Sequence, residues 1–578
     1  MKTGNAGCRI AAVGMGPRGL GALEALAERI EGTGLSLDVD MFDPVAQPGA
    51  GPNFDPEQSD LCLLNLPVRE ISLSPATYAG AQTGTFREFL TPPVDPEAFS
   101  PRAQLGRYLA ARFQDLNTNA TNLRLTWHKL SVDGISRGTD GWWLDAGGGR
   151  HGPYGEVLLT QGQPDTVPDD QLARWRSHAR KAEADLVAAY PANALLEAAR
   201  DWAGRNVAIR GMGLSTLDVL RLLTRGMGGR FVHGRYQRSG REPARILPFS
   251  LDGYAPYPKP ATAFLDGVFD PEPDETRAFE AALARAVAAG PEHAVATVCK
   301  AIPGPAARIL AAAGSPDTID DVENWLSVER DNPGAQETRG PKDALRIGIE
   351  TAGGIRPPSP GYVIGQLWRK WQNALRRGFN PVRVEAETAS ALIRFDEGLK
   401  RYSYGPPLGS AKELLLLIEA GVVDLRAADD PDIELTADGW RLSADDADVT
   451  ASVMIDAVMA PPALEKSRDP VITGLMDQGR LSAVAEGLGG QTRADGQLLD
   501  RHGNLQRGLC LLGRMSLGSV IAADSLHDCM GASAGRWADG VIARIRSQGL
   551  RPEGDTCSTG PGAPSAFGTG TVLIRRTG

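Results

Sequence analysis

Residues 9–19 read Arg-Ile-Ala-Ala-Val-Gly-Met-Gly-Pro-Arg-Gly, an apolar run that leads directly into a glycine-rich turn. Leucines, alanines and Ile30 follow at helical spacing, and a second apolar alternation over 37–42 ends at Asp43. This is the order of a βαβ unit whose first turn reads Gly-x-Gly-x-x-Gly. The segment therefore predicts a strand, a turn, a helix and a second strand that together form a dinucleotide site.

Each glycine of this turn has its own physical reason. Gly14 permits the sharp exit from the strand, Gly16 lets a pyrophosphate approach the backbone, and Gly19 lets the helix pack closely on the strand. The helix begins at Pro17 and Arg18, and its free N–H groups and dipole favour an anion. Asp43 is placed to accept hydrogen bonds from a ribose diol. The alternative is a tight glycine turn that binds no ligand.

A second turn of the same kind follows the apolar run at 206–210. Gly211 and Gly213 repeat the first two glycines, and Ser215 and Thr216 follow, with Thr216 in place of the third glycine. We predict the next strand at 229–234.

The predicted strand ends at Arg235, with Arg238 close behind. A carboxylate at such a strand end would repel a 2′-phosphate, whereas an arginine would pair with it, so NADPH is favoured over NADH. The alternative is that these arginines belong to a solvated basic loop.

Two further strand ends favour a flavin at the first turn. Residues 157–162 form an apolar run that ends in Thr-x-Gly at Gly162, and residues 511–514 end a late strand at Gly513. In flavoproteins with two dinucleotides, these positions close the FAD domain. We therefore assign FAD to the first turn and NADPH to the second. Taken singly, each segment could be an ordinary strand end.

The predicted fold is α/β, a two-dinucleotide-binding flavoprotein with two Rossmann-like domains and an α-helical insertion. The FAD-binding domain takes residues 1–200 and 451–548. The NADPH-binding domain takes 201–450, with the helical insertion at about 272–380 and strand-like character from 382 to 460 that includes one helix. Residues 549–578, rich in Gly, Ser, Thr and Pro, are predicted to be a disordered tail.

The bulk composition excludes several function classes. The 578 residues carry a formal net charge of −10, which argues against non-specific nucleic-acid binding. We see no apolar run of membrane-spanning length and no room for a signal peptide before the first strand, so we expect a cytoplasmic protein without membrane contact. The six cysteines form no Cys-x-x-Cys pair and the histidines show no ligand spacing, so neither a metal site nor a redox disulfide is predicted.

Several motifs resemble a bacterial family of FAD/NAD(P)-binding proteins related to flavin-dependent N-hydroxylating monooxygenases of ornithine, lysine and aspartate. They are residues 13–20, 42–44, 49–51, 63–65, 101–109, 211–218 and 512–514. The resemblance implies that NADPH reduces FAD, that reduced flavin reacts with O₂, and that a C4a-hydroperoxyflavin transfers one oxygen to an amine. One branch is similar to enzymes that oxidise aspartate to nitrosuccinate. Gln161 departs from the family, which has a small residue before Gly162.

Candidate reaction residues follow from this chemistry. Asn65 and Gln161 are neutral hydrogen-bonding side chains on segments expected to pass near the flavin ring, and both are assigned catalytic roles; Asn65 could instead simply form a turn. An acidic amino-acid substrate needs a cationic clamp. The candidates for it, each of which could instead be a surface charge, are Arg69, Arg102, Lys259 and Arg401.

Three functions remain open at this point. The first is an NADPH- and FAD-dependent monooxygenase that uses O₂ and a small polar amine, most simply an amino acid. The second is a flavin oxidoreductase that passes electrons to a quinone or a protein partner without oxygen transfer. The third is a redox sensor that binds FAD and NADP without turnover. A homo-oligomer is one option for the assembly.

Overall fold

The computed structural model describes residues 9–444 and 447–549. Its first third is an α/β unit that begins with the predicted strand, turn, helix and strand. The elements are β1 (Arg9–Val13), α1 (Pro17–Ile30), β2 (Leu37–Phe42), α2 (Phe86–Phe89), α3 (Arg102–Asn119), β3 (Leu123–His128), β4 (Val132–Arg137), β5 (Trp142–Ala146), β6 (Gly149–Tyr154) and β7 (Glu156–Leu159).

The chain then enters a second α/β unit that contains the second glycine turn. The elements are α4 (Asp170–Ala182), β8 (Asp185–Ala188), α5 (Ala192–Ala198), β9 (Asn206–Arg210), α6 (Leu214–Leu223), β10 (Arg230–Val232), β11 (Arg235–Gln237) and β12 (Arg245–Phe249).

A long helical region follows and contains eleven α-helices. They are α7 (Ala263–Gly267), α8 (Pro273–Ala286), α9 (Pro291–Cys299), α10 (Pro303–Ala312), α11 (Ile319–Asp331), α12 (Pro341–Ala352), α13 (Pro360–Lys370), α14 (Gln372–Phe379), α15 (Ala386–Gly398), α16 (Lys400–Ser403) and α17 (Leu408–Glu419). The helices thus continue through much of 382–460, where the sequence favoured strands and one helix.

The last described part of the chain returns to both α/β units. Its elements are β13 (Asp432–Thr436), β14 (Gly439–Ala444), β15 (Ala447–Ala451), β16 (Val453–Asp456), α18 (Pro470–Asp477), β17 (Gln497–Leu499), β18 (Leu505–Leu511), α19 (Leu526–Cys529) and α20 (Ala532–Gly549). The predicted disordered tail lies outside the described residues from position 550 onward.

The first sheet has the strand order β17-β18-β7-β1-β2-β3, and only the β17–β18 pair is antiparallel. One face packs on α1, α3 and α20 through buried side chains such as Leu23, Tyr108 and Trp537. The other face packs on α18 and the small sheet β4-β5-β6 through Trp142 and Ile472. Because β18 comes from the far end of the chain, this domain is built from both ends of the sequence.

The second sheet has the strand order β12-β9-β16-β8, and all its strands are parallel. Strands β8 and β16 lie outside the predicted 201–450 span, so the domain boundary shifts outward on both sides. The reason is that the parallel partners of β9 come from 453–456 and, through that strand, from 185–188. The α/β fold with two Rossmann-like sheets and a helical insertion is confirmed.

The helical insertion has its own apolar core, formed by large buried side chains such as Phe279, Leu283, Trp368 and Trp371. Within the described chain, Pro291–Ala312 is long and apolar enough to cross a membrane by length and composition alone. The stretch is split between α9 and α10, and its side chains Val298 and Ile309 are fully buried in this core. It is therefore weak evidence for a membrane span.

Candidate functional site

The first glycine turn has the geometry that an anion site needs. Gly14 has φ +90°, and a Cβ there would stand 2.6 Å from the carbonyl oxygen of Thr160. A Cβ at Gly19 would stand 2.5 Å from the carbonyl oxygen of Gly14. Helix α1 begins at Pro17 after Gly16 without a side-chain cap from any described residue. Its first N–H groups are therefore free for a pyrophosphate, and the turn fits FAD.

The loop over 49–51 closes on this turn. The backbone N–H of Gly49 donates to the carbonyl oxygen of Met15 at 2.6 Å. A Cβ at Gly51 would lie 3.1 Å from the Cα of Gly16, so two glycine backbones face one another there. Residues 49–51 thus lie directly against the first glycine turn. In the sequence this motif stood out only through the family resemblance.

Asp43 supports the turn through its carboxylate. Oδ2 accepts the backbone N–H of Met15 at 2.6 Å, and Oδ1 accepts that of Val45 at 3.0 Å. The side chain is buried at the end of β2. Its contact with a ribose stays a prediction, and the structure adds the task of holding the glycine turn in shape.

The side chain of Arg18 has a structural task, while its backbone N–H in the first turn of α1 stays a predicted cofactor contact. Its buried guanidinium pairs with Asp528, with Nη1 2.6 Å from Oδ2, and Nη2 donates to the carbonyl oxygen of Ala523 at 3.0 Å. A Cβ at Gly513, which has φ +95°, would lie 3.3 Å from Nε of Arg18. Arg18 therefore ties α1 to the C-terminal half of the domain.

Gln161 lies at the carboxyl end of β7, where a flavin is expected. Its Nε2 donates to Oδ2 of Asp469 at 2.9 Å, while its Oε1 is buried and has no partner among the described residues. A buried acceptor without a donor is unfavourable, and a bound group with an N–H would satisfy it. Gly162 follows with φ +74°, and no atom lies within 4 Å of the position that a Cβ would take there.

Asn65 and Lys259 are brought together although 194 positions separate them. The ammonium of Lys259 donates to the backbone carbonyl oxygen of Asn65 at 2.6 Å. Lys259 is 5% exposed, and burial, assisted by the nearby charge of Arg369, lowers its pKa to about 7. One predicted catalytic residue and one predicted clamp therefore meet where the flavin domain contacts the helical insertion.

A network of charges surrounds this lysine. Arg69 pairs with Glu70 at 2.6 Å and, through Nε, with Glu97 at 2.9 Å. Arg369 of α13 pairs with Asp266, and its Nη1 lies 3.6 Å from a carboxylate oxygen of Glu70. We call Arg69, Glu70, Lys259, Asp266 and Arg369 the Lys259 cluster. Glu70, Asp266 and Arg369 carry no sequence motif, so sequence analysis missed them.

The cations of the Lys259 cluster differ in whether a carboxylate pairs with them. Arg69 and Arg369 have carboxylate partners, whereas Lys259 has no ion-pair partner within 4.0 Å among the described residues. Arg69 is therefore placed near the predicted site, but its charge is already matched by its neighbours.

Arg102 lies between the two α/β units instead of in a substrate pocket. Its Nη2 is 2.7 Å from Oδ2 of Asp218 on α6, and its Nε donates to the carbonyl oxygen of Leu63. Asp218 also accepts the hydroxyl of Tyr190 and the backbone N–H of Leu63. Each of these groups is engaged in a hydrogen bond or an ion pair. The pair of Arg102 and Asp218 therefore serves as a bridge that holds α6 against the segment 62–65.

The second glycine turn also fits a dinucleotide. Gly211 has φ +114°, and its N–H donates to the carbonyl oxygen of Phe249 at 2.7 Å. The hydroxyl of Thr216 donates to the carbonyl oxygen of Gly211 at 2.7 Å, so a hydrogen bond replaces the missing third glycine. Helix α6 begins after Gly213, and no described residue caps it with a side chain. Ser215 lies in its first turn.

The predicted phosphate clamp is wrong in its placement. Strands β10 and β11 form a separate antiparallel hairpin, and the strand beside β9 is β12. Arg235 is exposed on the hairpin. Arg238 donates to the carbonyl oxygens of Pro243 and Ala244, which precede β12 at the amino edge of the sheet. The glycine turn lies at the opposite edge, because it follows the carboxyl end of β9.

Arg401 lies at that carboxyl edge. Its guanidinium pairs with Asp252, three residues past the end of β12, and lies 5.6 Å from the ring centre of Tyr254. It contacts no member of the Lys259 cluster through a described ion pair. The four predicted clamp residues therefore divide among three places, and only Arg69 and Lys259 lie near one another.

Known proteins resemble this chain at the levels of domain and sequence. A family model described as FAD-NAD(P)-binding matches residues 11–164. Nitrosuccinic acid synthase npaA of Aspergillus oryzae is 30% identical over 283 residues, which are 43% of this chain and 42% of that protein. The L-aspartate N-monooxygenase (nitrosuccinate-forming) of Streptomyces davaonensis is 25% identical over 567 residues, 82% of this chain and 85% of that protein.

Among solved structures, the cadaverine monooxygenase DfoA of Erwinia amylovora, bound to FAD, is 12% identical with a TM-score of 0.45, covering 96% of this chain and 99% of that one. The lysine monooxygenase NbtG of Nocardia farcinica is also 12% identical, with a TM-score of 0.38 and coverages of 92% and 99%. The family model confirms the FAD/NAD(P)-binding prediction for the first unit. The two sequence relatives confirm the resemblance to proteins related to N-hydroxylating monooxygenases.

Proposed function

We propose that this chain is an FAD- and NADPH-dependent monooxygenase that oxidises the amine of a small acidic amino acid, with L-aspartate as the first substrate to test. The observation that carries the proposal is the Lys259 ammonium, which is buried beside Asn65 without a carboxylate partner among the described residues. The two sequence relatives are named for nitrosuccinate formation, one of them from L-aspartate, which supports the same substrate class.

The physical argument starts from the cost of burying a charge. Glu70 and Asp266 lie near Lys259, but Arg69 and Arg369 already pair with them, so burial outweighs their attraction and the pKa of Lys259 falls. A substrate carboxylate beside Nζ would supply the missing negative charge and restore the cationic form. Lys259 therefore fits an anionic substrate better than Arg69 does, because Glu70 and Glu97 already occupy the Arg69 guanidinium.

Cofactor binding would use the two uncapped helix starts. The N-terminus of α1, with the glycines of the first turn, would hold the FAD pyrophosphate, and that of α6 would hold the NADPH pyrophosphate. FAD held there would supply the redox chemistry, with NADPH as the reductant and O₂ as the oxidant. The bridge between Arg102 and Asp218 keeps α6 against the segment that carries Asn65.

The protein's own part in the reaction is orientation and exclusion of water. The backbone carbonyl oxygen of Asn65 accepts the hydrogen bond of the Lys259 ammonium and so positions it. The unpartnered Oε1 of Gln161 would accept a hydrogen bond from a group bound at the end of β7. The Gln161 amide is neutral, so it can orient a reactive group without donating a full proton, while a catalytic role of the Asn65 side chain stays a prediction.

The test is a product analysis with labelled oxygen. The FAD-loaded protein is supplied with NADPH and ¹⁸O₂, and NADPH oxidation is followed with L-aspartate, L-glutamate, L-ornithine or no amine. We expect L-aspartate to accelerate NADPH oxidation and to yield an N-oxidised product that carries ¹⁸O. An NADPH oxidation rate indifferent to every amine, with all electrons recovered in H₂O₂ or in an added quinone, would contradict the proposal and favour an oxidoreductase.

A further inference from the structure

Each glycine turn pairs with its neighbouring strand in the same way, although the two turns lie in different sheets. Val13 pairs with Phe42, and the N–H of Gly14 donates to the carbonyl oxygen of Phe42 at 2.9 Å. Arg210 pairs with Phe249, and the N–H of Gly211 donates to the carbonyl oxygen of Phe249 at 2.7 Å. The residue that follows Phe249 therefore occupies in the second unit the place that Asp43 occupies in the first.

That residue is Ser250, which is neutral. Its hydroxyl donates to Oδ1 of Asp252 at 2.9 Å and accepts the backbone N–H of Gly253 at 3.0 Å. An acid at this place binds the diol of a nucleotide ribose and repels a phosphate on it, whereas a neutral residue tolerates either. Nearby charges must then decide between NADH, which carries the ribose diol, and NADPH, which carries the phosphate.

A cation from the helical insertion reaches this strand end. Arg401 lies in α16, and its Nη2 pairs with Asp252. Its Nη1 is buried and has no hydrogen-bond partner among the described residues. Because a guanidinium presents its N–H groups as a planar fork, one edge can remain on a carboxylate while the other receives an anion.

Two further acidic residues lie beside Gly253 and Ser250, while the Arg210 guanidinium at the end of β9 is already paired with Asp169 and Asp456. Asp429 packs against Gly253, where a Cβ would lie 2.9 Å from the Cα of Asp429, and Asp430 donates its N–H to the carbonyl oxygen of Ser250. Without Arg401, the end of β12 would thus present Asp252 and Asp429 to a nucleotide. A phosphate on the ribose would be repelled, while a bare diol would be accepted.

We propose that Arg401 binds the phosphate on the adenosine ribose of NADPH and that Asp252 holds the guanidinium in place while the site is empty. This assignment rests on the proposed function only in taking NADPH as the reductant. It moves the specificity-determining cation from the hairpin at Arg235 and Arg238 to the helical insertion.

Binding measurements test the assignment without turnover. Affinities of the FAD-loaded protein for NADP⁺ and NAD⁺ are measured by isothermal titration calorimetry, with melting temperatures recorded to verify folding. We expect Arg401→Gln to weaken NADP⁺ about 10- to 100-fold, the range of one lost charge-assisted contact, and to leave NAD⁺ within about twofold. Arg235→Gln and Arg238→Gln are the matched controls and should leave both affinities unchanged.

A second variant separates phosphate binding from a structural role of the ion pair. Asp252→Asn removes the same pair but leaves the cation, so NADP⁺ should bind as tightly as before or more tightly. If Asp252→Asn weakens NADP⁺ as much as Arg401→Gln does, Arg401 acts through the fold and the assignment fails. Preference of the unaltered protein for NAD⁺, or loss of NADP⁺ in Arg235→Gln alone, also overturns it. None of these three outcomes bears on oxygen transfer, which the labelled-product experiment measures separately.

Discussion

Arg102, which is half-buried, and Asp218, which is buried, form an ion pair between the two α/β units, with Nη2 2.7 Å from Oδ2. Arg102 begins α3 of the flavin unit, and Asp218 lies in α6, directly after the second glycine turn. The pair therefore couples the position of the second turn to the segment 62–65, which leads to Asn65.

Removing the cation of this bridge should destabilise the protein. Arg102→Met leaves the buried Asp218 carboxylate with only the more distant guanidinium of Arg221, 3.6 Å away, and we expect a loss of up to about 3 kcal/mol, the lower end of the cost of unpairing a buried charge. Urea denaturation, followed by tryptophan fluorescence, measures the apparent free energy of unfolding. Arg29→Met, which breaks the exposed pair between Arg29 and Asp539, is the control and should leave the midpoint unchanged. Equal effects of both substitutions would show that Arg102 is no more than a surface charge.

Lys259 should impose a pH dependence on substrate capture. Its pKa of about 7 means that the cationic form, which pairs with a substrate carboxylate, is lost as the pH rises above neutrality. We expect kcat/KM for L-aspartate in the unaltered protein to fall relative to Lys259→Arg by about tenfold per pH unit above about pH 7, because an arginine stays charged. Parallel pH profiles of the two proteins would remove Lys259 from substrate binding.

The same lysine should also leave a signature in stability. Burial lowers its pKa from 10.5 to about 7, so between these values the unfolded chain binds more protons than the folded protein. Stability therefore rises with pH across this window through this one group. Lys259→Met removes the dependence, so the variant should melt above the unaltered protein at about pH 6 and lose that advantage towards pH 10. A melting difference that does not change with pH would contradict the assignment.

The first turn should tolerate no side chain at Gly14. Gly14→Ala combines a positive φ with a Cβ 2.6 Å from the carbonyl oxygen of Thr160, so strand and turn must separate. We expect a loss of about 2–5 kcal/mol and a protein purified without FAD. Gly34→Ala isolates the backbone effect, since Gly34 has φ +73° and nothing within 4 Å of its Cβ position. Retention of FAD in Gly14→Ala would place the flavin elsewhere.

Local patterns predicted much of the fold and both glycine turns. The first βαβ unit spans little more than thirty residues, and its signals (apolar run, glycine spacing, helical periodicity) act between neighbours in the chain. The same local reasoning misassigned 229–234, because an apolar stretch can pair in a hairpin as readily as in a parallel sheet. Only the contact of β9 with β12 decides which strand continues the domain.

The candidate site could be predicted only in part. Lys259 and Asn65 were singled out as residue types, but nothing in the sequence joins positions 194 apart. Arg18 was read as part of the nucleotide turn because of its position, whereas its partner Asp528 lies 510 positions downstream. Charged side chains reach several residues beyond their own backbone, so their partners depend on which distant segments fold beside them.

The sequence by itself determined where two dinucleotides can bind, because a glycine turn between a strand and a helix is a local backbone property. The tertiary structure alone decided which cations are compensated and which are not. Arg69 and Arg102 meet carboxylates, Lys259 meets a carbonyl oxygen, and Arg401 reaches the end of β12 from the helical insertion. Electrostatic partners are set by distances in space, and the chain order does not contain them.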